Sequence, residues 1–249
     1  MYFLRGRNSI PIKFLFLLIS ITKLPLFKHE IFMKRIVSII CLIVLLNNMS
    51  LAQKPGEILA QKVANAYGLK NFKKAKFISF TFNVKRDTFP VTYRSWDWNI
   101  AENTVTMTTP KQTITYRRDT IQSAAMKSVD GRFINDQYWL IFPYHAAMDK
   151  GCTLTVKENV TAPISKLNST MLTVQYNNVD GYTPGDAYDL YIDKKYMVTE
   201  WVYRSKGVEK PSLNTTWKDN VTNAGVKTAT NFTSENGKFR IYFTGVSVK

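Results

Sequence analysis

Residues 185–205 read GDAYDLYIDKKYMVTEWVYRS, a pattern that few folds accommodate. Tyr188, Leu190 and Ile192 alternate with Ala187, Asp189 and Tyr191. Beyond Asp193-Lys194-Lys195, the residues Met197, Thr199, Trp201 and Tyr203 alternate with Val198, Glu200 and Val202. Alternation with a period of two gives each strand one dry and one wet face, and the polar break between the runs marks a tight hairpin. The same pattern recurs along the chain. Ile78, Phe80, Phe82 and Val84 share a face in 77–86, as do Arg94, Trp96 and Trp98 in 91–100. Further short strands are expected at 104–109, 113–118, 121–127, 152–160, 171–177, 215–219, 226–233 and 238–248. Many are rich in Thr, which suits a pleated surface while keeping one side wet.

One segment before the strands is helical. In 57–67, Leu59, Val63 and Tyr67 form one stripe with Ile58 and Ala66 beside it, and Gly68 stands at the C′ position. Residues 130–149 (DGRFINDQYWLIFPYHAAMD) break the rhythm and are read as an irregular aromatic segment over the sheet. The expected fold is α+β and mostly β. A single curved antiparallel sheet of about eleven strands forms an unclosed β-barrel, with the N-terminal amphipathic helix packed against it.

The first fifty residues read differently. Met33-Lys34-Arg35, the uncharged run 36–46 and Ser50-Leu51-Ala52 match the three parts of a secretory signal cleaved near Ala52. Residues 1–32 are read as a non-native upstream extension, 33–52 as the signal peptide and 53–249 as a single exported, periplasmic domain. Of 34 Lys and Arg, seven precede Gln53, as does one of 18 Asp and Glu. The domain therefore carries 27 bases against 17 acids, net +10. The bases are scattered, which speaks against nucleic acid as a partner. They suit an anionic membrane surface or a solvated basic face. Cys152 is the only cysteine after Gln53, so no internal disulfide is available there.

Catalytic candidates are thin. His145 is the only histidine after Gln53 and lies seven residues from Cys152, but no G-x-S-x-G, H-E-x-x-H or C-x-x-C occurs. Asp186, Asp189 and Asp193 offer paired carboxylates, although acids at strand ends normally face water. The aromatics are the sharper signal. They either fill a core or, in a barrel too wide for one helix, line an apolar pocket. Phe80, Phe82, Trp96, Trp98, Trp139, Phe142, Leu190, Trp201 and Tyr203 are the candidate lining.

The late hairpin has the form aromatic-x-Leu-aromatic-Ile-Asp-x-x-aromatic-x-Val-x-x-Trp, carried by Tyr188, Leu190, Tyr191, Ile192, Asp193, Tyr196, Val198 and Trp201. With the leading helix and the many strands, it resembles the bacterial periplasmic lipoprotein-carrier superfamily (LolA/LolB type), particularly divergent members from Bacteroidetes-like bacteria. That resemblance implies a non-enzymatic binder of a lipid or acylated lipoprotein, without metal or cofactor; a monomer is expected. The alternative expectation is an envelope adaptor that docks a protein partner through its sheet and has a filled core.

Overall fold

The computed structural model describes residues 34–38, 54–121, 123–178 and 183–249. The chain divides into two units, Met1–Gln53 and Lys54–Lys249. In the first, residues 34–38 are helical; the rest of the expected signal and the upstream extension lie outside the described residues.

Helix α1 (Pro55–Tyr67) opens with proline, whose missing N–H costs nothing in a first turn, and buries Leu59, Val63 and Tyr67 as its stripe dictates. It stops at Gly68, which adopts φ 96° and donates its N–H to the Ala64 and Asn65 carbonyls. A Cβ there would lie 2.1 Å from the Gly225 carbonyl oxygen, so only glycine fits. A single turn, α2 (Leu69–Phe72), follows.

Twelve strands are described: β1 (Phe77–Arg86), β2 (Thr92–Asn99), β3 (Thr104–Thr108), β4 (Thr113–Arg117), β5 (Cys152–Thr161), β6 (Asn168–Tyr176), β7 (Ala187–Ile192), β8 (Val198–Arg204), β9 (Leu213–Thr216), β10 (Lys218–Asn223), β11 (Val226–Thr233) and β12 (Phe239–Val248). They form two antiparallel sheets rather than the expected single one. The seven-stranded sheet runs β10-β11-β12-β1-β2-β3-β4 and the five-stranded sheet β5-β6-β7-β8-β9. The division falls at Trp217. Thr216 ends the ladder with β8, Trp217 N–H donates to the Thr199 carbonyl at 2.8 Å, and Lys218 begins the ladder with β11. The run β9–β10 is thus shared between two sheets, and the seam is spanned by a β-bridge from Thr215 to Ser234 and by the Thr233 N–H, which donates to the Thr216 hydroxyl at 3.2 Å. The opposite ends, β4 and β5, are terminal strands of their sheets. Phe80 lies opposite Trp96 and Leu190 opposite Trp201, but a register shift at Tyr191–Ile192 brings Val198, expected on the face away from Trp201, opposite Ile192 and into the core.

Residues 130–149 are not irregular, and 121–127 is not a strand. After a 3-10 turn (Arg118–Thr120), a 25-residue helix, α3 (Ala124–Met148), occupies the space between the sheets. Ser123 caps it, its hydroxyl accepting the Met126 N–H at 3.2 Å. Pro143 has no N–H to donate and its ring crowds the preceding turn, and the helix kinks at Ile141 (φ −122°, ψ 18°). Val129, Phe133, Leu140 and Phe142 are buried among strand side chains. Phe133 meets Trp96 of the seven-stranded sheet (5.4 Å between ring centroids), and Trp139 meets Trp201 of the five-stranded sheet edge to face (4.1 Å). Helix α3 therefore contributes more of the interior than α1 does.

Candidate functional site

Three carboxylates hold α3 in place. Asp136, fully buried, accepts Nε and Nη2 of Arg94 at 2.7 and 2.8 Å and the Trp96 indole N–H at 2.8 Å. Asp130 pairs with Arg118 Nε at 2.8 Å and accepts the Tyr116 hydroxyl at 3.0 Å. Both tie the helix to the seven-stranded sheet through β2 and the β4 region. At the far end, Asp149 accepts the Tyr176 hydroxyl from β6 at 2.6 Å, the Tyr138 hydroxyl at 3.1 Å and His145 Nδ1 at 2.8 Å. A buried charge costs several kcal/mol unless it is paired in this way.

With α3 so fixed, a groove of about 290 Å³ remains between its N-terminal part and the β7–β8 hairpin. Tyr138, Trp139, Tyr188, Trp201 and Tyr203 line it, and Asn135, Thr183 and Asp186 stand among them as its polar groups. Tyr188 and Trp201 stack at 5.3 Å with 14° between their planes, and Tyr188 stacks on Tyr203 at 5.4 Å. Gly131 and Ile134 complete the lining from the helix. A Cβ on Gly131 would meet nothing within 4 Å.

Of the nine residues expected to line a pocket, the structure brings Trp139, Trp201 and Tyr203 together at this groove. Phe80, Phe82, Trp96, Phe142 and Leu190 are buried in the packed interior, and Trp98 lies half-buried against Phe133. Tyr188 was legible from the same alternation. Gly131 and Tyr138 were not, since their place depends on a helix that the sequence conceals. A second, wider hollow of about 540 Å³ lies beside α1, but Lys62, Glu158, Asp193 and Lys194 line it with charges of both signs.

The catalytic candidates do not converge. The His145 ring has both nitrogens engaged, Nδ1 with Asp149 and Nε2 with Gln137 Oε1 at 2.9 Å, and it stacks on Tyr138. The Cys152 thiol donates to the Asp149 carbonyl at 3.6 Å, and burial first, then the Asp149 charge, pushes its pKa up, away from a reactive thiolate. Asp189 is held by Arg204 at 2.9 Å, Asp193 caps its turn by accepting the Lys195 and Met197 N–H groups, and Asp186 alone faces the groove. Among the described residues, no group of three or more His, Cys, Asp or Glu is arranged to hold a metal ion.

The tip of the β1–β2 hairpin is a separate surface. Phe89 is 71% exposed there, with Val91 and Tyr93 also exposed, and Lys85, Arg86 and Lys238 stand exposed nearby. The Asp87 N–H bonds the Lys238 carbonyl, which joins this tip to the β11–β12 turn.

No family model and no curated protein matches the chain. Solved structures with a similar chain course include a DUF1329 family protein from Desulfovibrio piger, at 9% identity and a TM-score of 0.45 over 79% of this chain and 94% of that one. A LolA superfamily protein from Nitrosomonas europaea matches at 8% identity and 0.43 over 76% and 93%. A domain named for outer membrane lipoprotein sorting, from Vibrio parahaemolyticus, matches at 10% identity and 0.44 over 78% and 92%. At these identities the likeness is one of chain course alone.

Proposed function

We propose that this protein is a non-enzymatic periplasmic binder that carries the apolar part of a lipid or of an acylated lipoprotein in the groove between α3 and the β7–β8 hairpin. In this reading it acts as a monomer of the lipoprotein-carrier type, exported by a signal cleaved near Ala52, with no metal or cofactor. The observation that carries it is Gly131. Glycine inside a helix costs about 0.5–1 kcal/mol relative to alanine, and here no neighbour requires it. What glycine does at this position is leave the groove unobstructed between five aromatic side chains. Sites of this kind are concave and mostly apolar, with a few placed polar groups.

Native mass spectrometry of the purified protein, and titration with an uncharged apolar fluorophore, test the reading. Gly131→Phe is expected to abolish fluorophore uptake, because its ring grows into the open space. Gly131→Ala is expected to raise the melting temperature by about 2–4 °C. A wild-type protein that carries and takes up nothing, or Gly131→Phe with undiminished uptake, refutes it.

The burial of α3 favours a second reading. From Asp136 to Ala146 the helix is enclosed on nearly every side, as a filled core requires, and this suits an envelope adaptor that docks a protein partner through its sheet. In that case the groove stays empty whatever is offered.

A further inference from the structure

The carboxylates of this protein differ in what neutralises them. Asp130 has Arg118, Asp136 has Arg94, Asp189 has Arg204 and Asp149 has His145. Buried Glu200 accepts two backbone N–H groups, from Ile164 and Ser165, at 2.7 Å each. Asp186 is half-buried in the groove wall and has no ion pair among the described residues. Its donors are the Tyr203 hydroxyl on Oδ2 at 3.1 Å and the Lys206 N–H on Oδ1 at 2.8 Å. A carboxylate offers about four lone-pair sites, so acceptor capacity is left over. No lysine or arginine is among the groove's described lining residues, although the domain carries 27 of them.

The aromatic rings around Asp186 add to its effect. Ring faces carry negative charge density and attract cations, most strongly where water is excluded. A groove walled by Tyr138, Trp139, Tyr188 and Tyr203 and bearing one carboxylate with no ion pair among the described residues is therefore locally negative in a positively charged protein. Its volume, about 290 Å³, lies at the lower end of the range for small-molecule sites. That suits one hydrocarbon tail rather than several.

Building on the carrier reading above, we infer that the groove selects single-tailed amphiphiles bearing an ammonium-type cationic head, which Asp186 and the flanking tyrosine rings hold at the mouth, and discriminates against anionic heads. The preference comes from a group other than those that bury the tail, so it is separable from apolar binding.

The test is displacement of the uncharged fluorophore from the full chain by three dodecyl amphiphiles, each below its micellar concentration, with trimethylammonium, maltoside or sulfate heads. The expected order is ammonium tightest and sulfate weakest, with about tenfold between them. Asp186→Asn is expected to level that difference, and Asp186→Lys to invert it, near-UV circular dichroism verifying the fold of each. Sulfate binding as tightly as ammonium to the wild type, or an ammonium preference that survives both substitutions, overturns the inference and leaves the carrier reading intact. If neither the fluorophore nor any of the three chains binds, both fall together.

Discussion

Asp149 shows at the scale of one residue how the fold handles charge. It ends α3 and collects two tyrosine hydroxyls and an imidazole nitrogen within 3.1 Å. Burial acts to raise its pKa. The His145 hydrogen bond and charge, with the Tyr176 and Tyr138 hydroxyls, outweigh burial and hold the carboxyl below its ordinary value. A carboxyl depressed in the folded state stabilises the fold above its unfolded pKa of about 3.9 and loses that contribution as pH falls through the folded value. Urea titrations at pH 7, 5 and 3 are expected to show Asp149→Asn less stable at neutral pH by about 1–3 kcal/mol. The gap to wild type should narrow toward pH 3. A constant gap across this range contradicts the role assigned to the carboxylate. His145 was legible as a structural histidine because it stands alone in the sequence, but its partners were not, as one precedes it by eight residues and the other follows by four.

Among the elements, α3 decides the architecture and was the hardest to read. Helical periodicity reveals a helix with one wet face, and from Asp136 onward α3 has almost none. Asp130, Asp136 and Gln137, the polar residues that would have marked such a face, are buried and bonded inside the protein. Gly131 and Pro143 add signals that ordinarily break helices. β1, β3 and β6 were legible for the opposite reason: each buries mainly one face, so alternation reports it directly, whereas β7 is buried on both faces. Gly68 was legible too, because a helix stop needing positive φ has one residue that fits without strain. The break at Trp217 was not, since a strand that changes partners keeps its alternation. Removing a carboxylate from α3 tests its anchoring. Asp136→Ala strands Arg94 and the Trp96 N–H, and is expected to cost about 3 kcal/mol in urea denaturation. That is the lower end for a broken buried pair, because the Arg94 side chain keeps 26% of its exposure and can rehydrate. A loss under about 1 kcal/mol would show that the helix is held by packing alone.

For the whole molecule, charge and exposed apolar surface coincide at the β1–β2 tip. Phe89, Val91 and Tyr93 project where Lys85, Arg86 and Lys238 cluster, on a domain of net charge +10. Each basic residue near an anionic bilayer contributes about 1 kcal/mol of attraction, falling away within a Debye length. Cosedimentation with vesicles rich in anionic lipid is therefore expected at low salt, with little on zwitterionic vesicles. Phe89→Ser should weaken it several-fold, and raising the salt should weaken it further. Equal binding to both vesicle types would place the contact elsewhere.

The seam at Trp217 bears on how such a molecule admits a guest. Asp130 and Asp136 lock α3 to the larger sheet and Asp149 ties its far end to β6 of the smaller one, while the Thr215–Ser234 bridge and the Thr233 N–H bond to the Thr216 hydroxyl span the line between the sheets. Under the carrier reading, room for a bulkier cargo requires the smaller leaf to pivot about its tryptophan corner, and that pivot has to release the Asp149–Tyr176 clasp at the foot of the helix.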